Sequence, residues 1–103
     1  DLTGQILAPT ITLHALHDPT VFYAAEAVYA GTVAGAGRSH LLVQAATDED
    51  QHSKLEDAGY LIVLAALERW IDTGEGPDPA GFQEACLAEH PRRSCLFVTA
   101  NGR

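Results

Sequence analysis

The chain has 103 residues, 47% hydrophobic and 19% charged, the balance of a globular fold rather than a disordered segment. Its formal net charge of −8, with only 6 Lys and Arg, argues against a nucleic-acid partner held by phosphate contacts and against anionic membrane surfaces. No apolar run approaches the ~20 residues needed to span a bilayer, so no membrane partner is expected.

The first eight residues read as a lead-in that ends at Ala8-Pro9. Residues 10–16, TITLHAL, alternate branched or polar residues with apolar ones, the period of a strand. Asp18 before Pro19 then reads as a helix N-cap with proline at the first helical position. The alanine-rich run 21–30 is apolar at helical spacing. It enters a stretch containing Gly31, Gly35 and Gly37, where a weak helix end is expected. His40–Ala46 is a short apolar run of buried-strand type, followed by the acidic loop TDEDQH at 47–52. Ser53-Lys54-Leu55-Glu56 fits a capping box. The helix it opens is apolar on most sides from Ala58 to Ile71, a pattern that needs protein cover on more than one face. That helix closes at Thr73-Gly74. A turn-rich linker at 74–79, a short helix around Gly81–Glu89 and a strand near Ser94–Thr99 complete a single segment, residues 1–103.

Strands alternating with helices indicate an α/β fold. The first two strands are joined by about two dozen residues containing a helix, too long for a hairpin and right for a parallel crossover. The expected architecture is a small, mainly parallel sheet of about three strands with crossover helices. Parallel neighbours place both C-terminal ends on one rim, where sites gather in open α/β sheets. Asp18 leaves the first strand at that rim, and the loop carrying His52 leaves the second.

Other residues carry less chemistry. Cys86 and Cys95 match no zinc spacing; they flank a helix-to-strand turn and read either as one bridge or as two buried thiols. The acidic loop fails the calcium-loop register, because Ser53 stands where glycine is needed and Gly59 where glutamate belongs. No metal or other cofactor is expected. His14 and His17, three apart on a strand, face opposite sides and do not share an ion. His14 reads as structural, packed or hydrogen-bonded in the sheet. Asp18 is open to two readings, a turn residue or a reactive carboxylate, and His52 to two, a solvated loop histidine or a base.

Ala8-Pro9-Thr10 through Asp18-Pro19-Thr20-Val21, the helix after it, Ala36-Gly37-Arg38-Ser39, a strand and a loop histidine together resemble the C-terminal part of α/β-hydrolase-fold serine hydrolases. Trp70-Ile71-Asp72-Thr73-Gly74, at the end of the long helix, adds to a likeness that spans residues 6–80. The resemblance implies a partial α/β-hydrolase fold with Asp18 as the triad acid and His52 as the general base. A neutral imidazole with pKa near about 6.5 can take a proton from a hydroxyl nucleophile around neutrality. The acid fixes the imidazole tautomer and stabilises the imidazolium that forms. The family commonly has glycine before its histidine, where this chain has Gln51.

No Gly-x-Ser-x-Gly elbow occurs in the sequence. Ser39 enters a strand, Ser53 caps a helix and Ser94 begins a strand. The family's chain order puts the nucleophile before the acid and base, so the resemblance locates it upstream of Asp1. The chain alone is then inactive, and the intact protein hydrolyses a small acyl substrate, an ester in preference to an amide or peptide. Removed from its parent sheet, the first strand has an unpaired edge and the long helix lacks cover, so the expected partner is the missing N-terminal part or a second copy. The alternative is a standalone, non-catalytic α/β module for dimerisation or partner binding.

Overall fold

A computed structural model describes residues 3–51, 55–90 and 95–98. The elements run β1 (Thr10–Ala15), α1 (Ala24–Gly35), β2 (Leu42–Thr47), α2 (Asp57–Thr73), α3 (Phe82–Glu89) and β3 (Phe97–Val98), with 3₁₀ turns at Ser39–Leu41 and Pro79–Gly81. β1 and β2 are parallel, in register from Thr10 opposite Leu42 to Ala15 opposite Thr47. The crossover expected from the long connection is present.

β3 corrects the expectation of a mainly parallel sheet. It pairs antiparallel with β2, Phe97 opposite Thr47 and Val98 opposite Ala46, in the order β1-β2-β3. The reason is a second helix. One helix between strands returns the chain to its starting edge and makes the next strand parallel. Here α2 ends beside Pro9, His40 and Leu41, at the N-terminal edge of the sheet. α3 then carries the chain back, so β3 enters at the opposite rim, where the Asp48 amide donates to the Leu96 carbonyl at 2.7 Å.

Strand alternation gives the sheet two different faces. Ile11, Leu13, Val43, Ala45 and Phe97 face α2 and α3 and form the core with Ala58, Ile62, Ala66, Phe82 and Cys86. Ala58, Ile62, Ala66 and Trp70 recur every fourth residue, which makes one buried stripe on α2. The other face meets α1 through polar groups. Glu26 Oε2 accepts from Thr12 Oγ1 at 2.8 Å and from Gln44 Nε2 at 2.6 Å. Val33 is the buried residue of α1, and Gly4, with φ +73°, lies directly against its last turns. Cys86 and Cys95 are bridged, which decides between the two readings of the cysteines and ties α3 to β3. Gln83 reinforces the tie: its amide donates to the Cys95 carbonyl at 2.6 Å and accepts from the Phe97 amide at 2.8 Å.

Three local expectations need correction. α1 begins at Ala24 rather than at Pro19. Asp18 Oδ1 satisfies the Thr20 and Val21 amides at 2.7 and 2.9 Å in a turn, and two β-branched residues favour that turn over a helical start. The end of α1 is well formed: the Arg38 amide bonds the Val33 carbonyl at 3.0 Å and Gly37 bonds Ala34 at 2.9 Å, with Gly37 at φ +74°. This is a Schellman stop, which needs a glycine at that position. α2 starts at Asp57 with Glu56 as its N-cap, so Glu56 is the cap residue itself rather than the N3 glutamate that closes a capping box. Ser53 lies outside the described residues. The Glu56 amide instead donates to Glu49 Oε2 at 3.0 Å.

Among the described residues, α2 is covered on one side. Tyr60, Leu61, Leu64 and Ile71 are exposed on the other, and β1 stands at the edge of the sheet. Among the described residues, no helix is long and apolar enough to cross a membrane.

Candidate functional site

The candidate site sits at the C-terminal rim of the parallel pair. Backbone pairing continues past the strand ends: the Leu16 amide donates to Thr47 O at 2.9 Å and the His17 amide to Glu49 O at 3.0 Å. The two departing loops therefore stay side by side for two further residues. Asp18 turns in over the rim, its amide 3.4 Å from the Ala15 carbonyl, and is 7% exposed. Oδ1 accepts the two backbone amides described above, which fixes the plane of the carboxylate. Oδ2 faces His14 Nε2 at 3.7 Å.

Asp18 lines a cavity of about 300 Å³ together with His14, Gln51, Leu55 and Tyr60. His52 itself lies outside the described residues. Gln51, which immediately precedes it, and Leu55, three residues after it, both line the cavity of Asp18. The structure thus brings Asp18 to the rim as expected and brings the described neighbours of His52 to the same hollow.

Beside it runs an acidic groove of about 400 Å³ lined by His17, Asp48, Glu49, Asp50 and Glu56, sharing Gln51 with the first cavity. His17 Nε2 lies 3.2 Å from Asp48 Oδ1, both side chains largely exposed, so the pair contributes little to stability. Among the described residues, no group of three or more His, Cys, Asp and Glu side chains is placed to hold a metal ion.

On the other side of β1, Tyr23 sets the edge of its ring against His14, centroids 5.7 Å apart at 62°. Burial pushes the Tyr23 hydroxyl above the ordinary phenol range, and the Glu26 carboxylate adds to the rise.

Comparisons with protein-family models, with curated proteins and with solved structures return no match. The chemistry of the rim therefore rests on its own geometry. That geometry offers a buried carboxylate on the wall of a cavity, clamped on one oxygen by two amides, with its second oxygen 3.7 Å from His14 Nε2. A carboxylate so held can orient and stabilise an imidazole.

The reading from residues alone took His14 as structural and did not pair it with Asp18. Its Nδ1 is indeed hydrogen-bonded, 2.7 Å from the Ala15 carbonyl. The missed signal is the His-x-x-x-Asp spacing. In an extended strand those residues are far apart, but the Ala15–Asp18 turn folds the chain back and closes the gap.

Proposed function

We propose that this chain is the acid- and base-bearing portion of a serine hydrolase of the α/β-hydrolase type, cleaving esters in preference to amides or peptides. Asp18 is the triad acid and His52 the general base. The nucleophile and the oxyanion hole come from polypeptide outside these residues, so the chain is inactive alone. The observation that carries the reading is the parallel β1–β2 pair whose C-terminal loops put Asp18 and Gln51 on one cavity. A triad needs an acid and a base delivered from rigid, neighbouring elements to within hydrogen-bond reach. Adjacent co-directional strands meet that need, whereas Asp48, Glu49 and Asp50 share a loop with the histidine and line the neighbouring groove.

In the mechanism this implies, His52 takes the proton of a serine hydroxyl as the hydroxyl attacks the ester carbonyl. It then returns that proton to the leaving alcohol. Asp18 holds the ring in the tautomer that presents its free nitrogen to the serine. A fluorophosphonate probe applied to the intact protein tests this. Labelling of an upstream serine, lost in His52→Ala and strongly reduced in Asp18→Asn, is the expected outcome; labelling unchanged in His52→Ala removes His52 from the mechanism.

A second reading is favoured by a separate observation. Leu61, Leu64 and Ile71 form an exposed apolar strip on α2 among the described residues, and β1 is an outer strand of the sheet. Those surfaces suit a non-catalytic module for dimerisation or partner binding. A chain that is monodisperse and monomeric in size-exclusion at micromolar concentration counts against it.

A further inference from the structure

The tautomer of His14 follows from its contacts. A backbone carbonyl only accepts, so the 2.7 Å contact between Nδ1 and Ala15 O makes Nδ1 the proton-bearing nitrogen of the neutral ring. Nε2 is then a lone pair. It is buried, has no hydrogen-bond partner, and lies 3.7 Å from Asp18 Oδ2, acceptor against acceptor. A proton from solvent added at Nε2 reverses the sign of that contact and makes it an ion pair.

We propose that His14 is a positioning residue for Asp18 that acts through its own protonation state. Neutral His14 repels Oδ2 and leaves it to the Gln51 and Leu55 side of the cavity that His14 and Asp18 both line. Protonated His14 donates Nε2–H to Oδ2 and draws it to the His14 side of that cavity. The local pairing stands without the hydrolase reading; its catalytic consequence, withdrawal of the acid from the base under acid conditions, rests on that reading.

Among the described residues, few other groups can compete for the imidazole. From α1 come the neutral Tyr23 ring and Glu26, whose Oε2 is already taken by Thr12 and Gln44. From α2, Tyr60 stands across the cavity, and Ala46, opposite His14 on β2, carries no titrating atom. Among the described residues, Asp18 is the carboxylate that faces Nε2.

Nitrogen and carbon NMR on the full 103-residue chain tests the proposal. The neutral ring should show the Nδ1–H tautomer. On acidification, Nε2 should gain its proton in step with a movement of the Asp18 carboxyl carbon and of the Thr20 and Val21 amides. His14→Asn keeps a donor for the Ala15 carbonyl but has no Nε2, so it should abolish that coupled movement. His14→Gln reaches the Nε2 position with a permanent donor and should hold the Asp18 carboxyl near its acid-side position at neutral pH. An Nε2–H tautomer in the neutral ring, or an Asp18 response unchanged in His14→Asn, overturns the proposal. If either variant fails to fold, the tautomer and the coupled movement in the unmodified chain still decide. With the intact protein, fluorophosphonate labelling in His14→Asn should keep the acid-side decline that protonation of the base His52 imposes and lose the additional decline due to His14. Coupling present without any labelling sinks the hydrolase reading and leaves the His14–Asp18 pair standing.

Discussion

Asp18 can be dissected by two substitutions that differ in one atom's role. Asp18→Ala removes the acceptor of two backbone bonds, at 2.7 and 2.9 Å, from a side chain that is 7% exposed. Hydrogen bonds to a charged group are worth about 1.5–3 kcal/mol each, and the Thr20 amide regains water when released, so a loss of about 2–4 kcal/mol is expected. A domain of this size has roughly 5–15 kcal/mol in total, so the loss is a large fraction. With a urea slope of ~1.5 kcal/mol/M, the unfolding midpoint falls by about 1.3–2.7 M. Asp18→Asn keeps Oδ1 for both amides and turns an N–H toward the His14 Nε2 lone pair. At neutral pH it should cost no more than about 1 kcal/mol. Urea unfolding followed by circular dichroism measures both. Equal losses for the two variants, or an alanine variant within about 0.5 kcal/mol of the parent, would refute the clamp.

Other consequences can be checked in the same chain. Reducing the Cys86–Cys95 bridge, sequence separation 9, releases a short loop and should lower stability by roughly 2.5 kcal/mol, seen as a lower melting temperature in reductant. Gly4→Ala should be far worse than Gly74→Ala although both have positive φ: a Cβ at Gly4 comes within 2.9 Å of Val33 Cα, whereas nothing lies within 4 Å at Gly74. The expected costs are above about 3 and near about 1 kcal/mol by denaturant midpoint. Tyr23 has a folded pKa raised above 10.0, so its contribution is intact below the unfolded value and is lost as pH rises through the folded one. Tyr23→Phe should flatten the alkaline fall in melting temperature.

The element order was legible in the sequence because each helix and strand carries its own period and punctuation. Strand alternation in Thr10–Ala15, the glycine at Gly74 and the long crossover all act locally, and all three read correctly. The direction of β3 was not legible from alternation alone. It depends on counting α3 as a full traverse, and the strand is only Phe97–Val98 long. The start of α1 was misread because Asp-Pro is shared by helix caps and by turns; Thr20 and Val21 tip the balance toward a turn only once Asp18 Oδ1 is seen to hold both amides. At the site, Asp18's place on the rim followed from topology. The opposed His14 nitrogen did not, since it arises from a chain reversal that no sequence period marks.

The central claim is that the Asp18 carboxylate and the His52 imidazole are partners across neighbouring parallel strands. A double-mutant cycle on the stability of this chain, Asp18→Asn with His52→Gln at neutral pH, measures that partnership directly. A coupling energy of about 1 kcal/mol or more is predicted, as for side chains in contact. Effects that add to within about 0.3 kcal/mol, as for distant sites, would contradict it.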